Sequence, residues 1–154
     1  MTPTTDLTKI ERSIFIRAPR ARVWRAITDV AEFSAWFQVK AQGQFAPHSK
    51  LRMVSTHPKC LGLEFDVTVE DVTPEQSFAW RWHPGAEAPA EGSGEPMTLV
   101  EFRLTDEANG TRVTVIESGF DRISLARRAK VFEENTKGWE FQLVALDKYL
   151  GHEA

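Results

Sequence analysis

The hydrophobic positions change period several times along this chain, and each change marks an element. Ile10, Ile14 and Ile16 fall on even spacing, which predicts a strand over residues 10–16 with one buried face. Phe15 interrupts the alternation, so the outer face is expected to be part-covered. Pro19 ends the strand because it supplies no ladder N–H, and it suits the first turn of a helix. Val23, Trp24 and Ile27 then form a stripe that predicts a short helix over residues 20–28. Asp29 reads as the N-cap of a second helix, with Glu32 three residues on to complete a capping box. That helix carries Val30, Phe33, Trp36 and Phe37 on one side.

From Val39 the period is two. Phe45 precedes a turn at Pro47-His48-Ser49, and Leu51 and Met53 belong to the next strand. Leu63, Phe65, Val67 and Val69 alternate with Glu64, Asp66, Thr68 and Glu70, the cleanest half-buried strand in the chain. The phase slips at Asp71-Val72, which predicts a bulge before the Pro74 turn. Phe78, Trp80 and Trp82 alternate with Ala79, Arg81 and His83. Residues 84–96 are Gly, Pro, Ala, Ser and Glu and bury little, so they read as a surface loop. Val100, Phe102 and Leu104 face one way, Asn109-Gly110 is a hairpin turn, and Val113 and Val115 follow with Glu117 in the same phase. After Gly119 a long helix is expected from Ser124 or Leu125 to Leu150, with Gly151 as its stop. Its stripe is Phe132, Asn135, Trp139, Leu143, Leu146 and Leu150. Strand, two short helices, a run of hairpins and one amphipathic helix make an α+β fold with an antiparallel sheet.

Composition narrows the function classes. The chain has 154 residues and a net charge of −3, a length that suits one domain after a loose tail over residues 1–9. An acidic balance argues against general nucleic-acid binding. No apolar run spans a membrane, and the polar start lacks a secretory h-region, so a cytoplasmic location is expected. The single cysteine, Cys60, allows no disulfide framework. The four His residues form no metal-binding spacing, and His57 with Cys60 does not complete a zinc site. P-loop, dinucleotide and nucleophile-elbow motifs are absent, so no cofactor is implied. The marked excess is aromatic: five Trp and ten Phe against one Tyr.

Several segments together resemble a known family. They are Ala18-Pro19-x-x-x-Val23-Trp24-x-Ala26-Ile27-Thr28, Trp36-Phe37, Asn109-Gly110-Thr111-Arg112-Val113-Thr114-Val115, Glu117-Ser118-Gly119-Phe120 and Gly138-Trp139-x-x-x-Leu143. In this order, over residues 10–150, they resemble the START-like helix-grip (SRPBCC) superfamily. Within it they are most similar to bacterial homologues of the C-terminal domain of the heat-shock protein 90 ATPase activator. The resemblance implies a curved antiparallel sheet of about six or seven strands gripping the C-terminal helix, as a single domain over residues 10–151. It also implies a cavity between sheet and helix that takes lipids, sterols, polyketides or other apolar molecules. Some superfamily members cyclise or dehydrate polyketides, and the family name implies a chaperone partner whose ATPase is stimulated.

The residues offer candidates for such a site. Trp36, Phe65, Val67, Trp80, Trp82, Phe102 and Trp139 are expected to wall it, or else to fill a core. Glu117 either faces inward, where it orients a ligand or acts as general acid or base, or sits at the rim beside Arg or Lys. His83 is a second, weaker acid–base candidate. Asn135 either contacts a ligand or bonds a nearby backbone group. Gly138, in mid-helix, is read as a point of close approach to a neighbour or ligand. The basic run Arg127-Arg128-Ala129-Lys130 is read as a solvated face. The expected partner is a small apolar or aromatic molecule bound without turnover. The alternatives are a polyketide cyclase- or dehydratase-like enzyme using Glu117 and a chaperone-binding module. A homodimer through a strand edge is a further expectation.

Overall fold

A computed structural model describes residues 8–85 and 94–151. The strands are β1 (Lys9–Ile16), β2 (Val39–Ala41), β3 (Lys50–Ser55), β4 (Glu64–Thr73), β5 (Ser77–Trp82), β6 (Thr98–Glu107) and β7 (Gly110–Ser118). The helices are α1 (Arg20–Thr28), α2 (Val30–Phe37) and α3 (Leu125–Gly151), with short 3₁₀ turns at Pro58–Cys60 and Phe120–Arg122. One seven-stranded sheet has the order β1-β7-β6-β5-β4-β3-β2, every neighbouring pair antiparallel. The architecture is the α+β helix-grip arrangement, with α1 and α2 inserted after the first strand and α3 packed on the sheet.

Local chemistry explains most boundaries. Pro19 is the N-cap of α1 rather than its first residue, with extended backbone at ψ 151. The Asp29 side chain accepts from Glu32 N–H at 3.0 Å and caps α2. The other half of the capping box does not form. Asp29 N–H already donates to Arg25 O, so the Glu32 carboxylate is left to Arg22, Arg25 and Tyr149. The expected bulge is present as a register shift between Val69 and Asp71. Asn109 takes a left-handed φ of 69° in the β6–β7 hairpin. Gly110 is required there, because a Cβ would stand 2.2 Å from the Ile16 carbonyl of β1.

The core lies between the sheet's inner face and the helices. Val67, Val69, Phe78, Trp80, Val100, Phe102, Val113 and Val115 are fully buried on the strands. Phe33, Trp36 and Phe37 face them from α2, and Val131, Trp139, Leu143, Leu146 and Leu150 from α3. Tight burial of this much aromatic area is the main stabilising term, each ring removing on the order of 150–250 Å² from water. Gly138 is the exception on α3. It is exposed, and a Cβ there would meet nothing within 4 Å, so neither helix–sheet contact nor ligand approach explains it. No helix among the described residues is long and apolar enough to cross a membrane.

Candidate functional site

Four elements converge on one carboxylate. Glu117 continues the inward phase of Val113 and Val115 on β7 and is completely buried. Trp82, at the end of β5, stands opposite Thr98, at the start of β6. Two residues further along β6, Val100 pairs with Glu117. The strand period of two therefore puts Trp82, Thr98 and Glu117 on one face. Asn135 and Trp139 are four residues apart on α3, so they share the helix face turned to the sheet.

Every partner of Glu117 is a donor. The Trp82 indole N–H donates to Oε2 at 2.9 Å, and the Thr98 hydroxyl donates to the same oxygen. The Trp139 indole N–H donates to Oε1 at 2.8 Å. The Asn135 amide spans both oxygens, at 2.8 and 3.0 Å. No ion pair joins Glu117 to a cation among the described residues. Indole N–H groups and an amide NH₂ can only donate, so they suit the accepting oxygens of a carboxyl group. A buried polar group of this kind is tolerated only when its lone pairs are filled, and here they are. The rim reading of Glu117 is thereby corrected: it lies in the interior, without Arg or Lys.

The network reaches further through Asn135. Its Oδ1 accepts the Gly85 N–H at 3.1 Å, which ties the segment after β5 to α3. Gly85 has φ +90°, and a Cβ would lie 2.7 Å from Val131 Cγ1, so only glycine fits this close to the helix. On the other side of that segment Glu95 pairs with Arg127 at 3.2 Å, both side chains largely buried. Arg127 is thus engaged, and Arg128 donates to the carbonyls of Asp121 and Ile123, which corrects the solvated-face reading for those two. Most of the loop read over residues 84–96, residues 86–93, lies outside the described residues.

Aromatic rings surround the carboxylate. Trp139 lies 5.7 to 6.2 Å, centroid to centroid, from Phe102, Trp82, Trp80 and Phe37. Trp82 also meets Phe65 at 5.7 Å, and Trp80 meets Phe33 edge-on at 5.8 Å. The rings of sheet and helix are in mutual contact. Val67 is buried on β4 beside this wall. Trp36 meets Phe33 at 5.1 Å and Phe37 at 5.5 Å, and its N–H donates to Ala26 O at 2.8 Å, which locks α1 to α2. His83 is not among the groups bonded to Glu117, and its Nδ1 is buried without a partner among the described residues. His57 Nδ1 accepts the Lys59 N–H while Cys60 is exposed. Two open concavities, of about 610 and 400 Å³, lie elsewhere, beside the α1–α2 turn and beside the β6–β7 hairpin.

Thr98 and Gly85 were not among the expected site residues. Thr98 had a signal, since it shares the inward phase of Val100, Phe102 and Leu104. Gly85 had none beyond lying next to a proline.

None of the curated proteins matches the chain. Among solved structures, MLL2253 from Mesorhizobium loti superposes with a TM-score of 0.77 at 19% identity, over 95% of this chain and 98% of its own. DynU16, a putative protein in the dynemicin biosynthetic locus, gives 0.70 at 23% identity, over 94% of this chain and 48% of its own. The Aha1 dimer from Colwellia psychrerythraea gives 0.71 at 18% identity, over 92% and 95%. At such identities the likeness is one of fold. The family model for Activator of Hsp90 ATPase homolog 1-like protein matches residues 17–151, nearly the whole described fold, and the chain belongs to that family.

Proposed function

We propose that residues 10–151 act as one domain that binds a small apolar or aromatic molecule between the sheet and α3, with Trp80, Trp82, Phe102 and Trp139 supplying the contact area. The observation that carries this reading is the placement of Glu117. A buried carboxylate with four neutral partners stabilises a fold no better than apolar packing of similar volume. Apolar sites with one convergent polar group are what small-molecule binding requires. The rings now meet each other, so a ligand takes the place of ring–ring contacts and α3 moves outward to admit it. Native mass spectrometry of the purified chain tests this. The expected result is a species heavier than the 17.5 kDa chain by one small organic molecule. A bare mass, combined with unchanged Trp emission across a panel of apolar aromatics, overturns it.

Glu117 serves this function by fixing the wall, since its oxygens hold the Trp82 and Trp139 indoles and the Asn135 amide in place. A general base needs a free lone pair, and both oxygens are already engaged by donors. Family membership favours a second reading, contact with a chaperone and stimulation of its ATPase. Leu61, Leu125, Phe141 and Val144 are exposed apolar side chains available for such contact. A pull-down with an ATPase assay decides it: no binding and no rate increase removes this reading.

A further inference from the structure

Among the buried indoles one is chemically incomplete. Trp82 and Trp139 donate to Glu117, and Trp36 donates to Ala26 O. Trp80 is 0% exposed, yet its Nε1 has no hydrogen-bond partner among the described residues. Its ring neighbours are Phe33, Phe37, Phe78, Trp82, Phe102 and Trp139, at 5.4 to 6.4 Å, and Val69 and Val100 stand opposite it on β4 and β6. Buried N–H donors are almost always satisfied, and rings of hydrocarbon offer no lone pair. Tryptophan is also a poor choice for pure filling at such a position, since phenylalanine brings a ring without the unmet donor.

We infer that the Trp80 N–H is the polar specificity point of the aromatic site, and that it selects ligands carrying a hydrogen-bond acceptor, such as an aromatic ketone, over their hydrocarbon analogues. This rests on the binding reading above and adds to it the acceptor. Glu117 cannot play this part, because it accepts and does not donate. The Trp82 and Trp139 donors cannot either, because Glu117 holds them. A ligand carbonyl reaching Trp80 meets the one indole donor in the wall still unspent. In a site cleared of water the match is discriminating, since a hydrocarbon leaves the donor buried and unmet.

Two probes of nearly equal shape test this, 2-acetylnaphthalene and 2-ethylnaphthalene, titrated into the full chain and into Trp80→Phe. The expected result is about tenfold tighter binding of the ketone by the native protein, a ratio that falls to about one in Trp80→Phe. The indole ¹⁵N–¹H resonance of Trp80 in the native protein gives a readout that does not depend on the variant folding. It is expected to move downfield with the ketone and to stay put with the hydrocarbon. Equal affinities for the two probes overturn the inference while leaving apolar binding intact. An upfield resonance that neither probe shifts overturns it too, by assigning the N–H to the face of Phe33. Failure of both probes to bind overturns the inference together with the reading beneath it.

Discussion

Of the carboxylates that tie α3 to the rest of the molecule, Glu117 near its middle and Glu32 near its end do so by different chemistry. Glu117 is fully buried and is held by neutral donors from β5, β6 and α3. Glu32, on α2, keeps 18% of its side chain exposed and is held by two cations. Arg22 Nη1 approaches at 2.7 Å and Arg25 Nε at 2.9 Å, while the Tyr149 hydroxyl of α3 donates at 2.9 Å. The contrast follows from water. Near solvent a guanidinium keeps part of its hydration, so an ion pair forms cheaply and contributes little. In the interior a cation would have to be desolvated as well, and indole and amide dipoles do the work without a second charge. The outer knot is therefore expected to be weak, salt-sensitive and tolerant, and the inner one strong, salt-insensitive and exacting.

The largest expected effect breaks the inner knot. Glu117→Leu leaves four donor groups buried without an acceptor and should lower stability by about 4 kcal/mol. Urea unfolding measures it, and a loss below about 1 kcal/mol would show the network to be dispensable. Asn135→Ala removes the amide shared by both carboxylate oxygens and also releases the Gly85 N–H. It should cost about 2 kcal/mol and speed hydrogen exchange at the Gly85 amide, detectable by NMR.

The outer knot gives smaller effects. Glu32→Gln should cost about 1 kcal/mol at low salt and less at 1 M, where the Debye length is about 3 Å. Burial pushes the Glu32 carboxyl upward, but hydrogen bonds from Tyr149, Arg22 and Arg25 outweigh it and set the value below the ordinary 4.5. The folded form thus favours the carboxylate. Its contribution is complete above pH 4.5 and disappears as pH falls through the lowered value. Burial, then the hydrogen bond to Glu32, pushes the Tyr149 hydroxyl above 10.0. That contribution is whole below pH 10 and is lost as pH rises through the raised value. Glu32→Gln should flatten the acid limb of a melting-temperature profile.

The smallest change lies on the outer face of α3. Gly138→Ala should stabilise by roughly 0.5–1 kcal/mol, read as a higher melting temperature, because exposed mid-helix glycine gives up backbone entropy with no packing return. A neutral or negative result would mean that the helix is bent there for a reason outside its contacts.

What could be read from the chain divides along the same line between local and distant chemistry. Alternation placed Glu117 on the inner face, and the helical period placed Asn135 and Trp139 beside each other, because both depend on backbone geometry alone. That Glu117 would be met by indoles and not by arginine was not legible, since Trp82 lies 35 residues away and Trp139 22. The Gly85–Asn135 contact spans 50 residues and involves a backbone group, which leaves no trace in side-chain pattern. The capping box failed for a comparable reason: its local half was correct, and Tyr149, 117 residues on, helped claim the rest. Trp36 reaches the ring cluster through Phe33 and Phe37, while its N–H bond to Ala26 of α1 had no local signal.

The sheet order carries a consequence for synthesis. β1 pairs with β7, so Ile16 waits for Thr111 and Lys9 for Ser118, about a hundred residues later. On a ribosome the first strand emerges long before its partner, with Ile10, Ile14 and Ile16 uncovered for the interval. Sheet closure, and with it the seating of α3, comes only after β7 has been translated. A nascent chain stalled before residue 111 should therefore be protease-sensitive throughout its first strand, while one that includes β7 and α3 protects it.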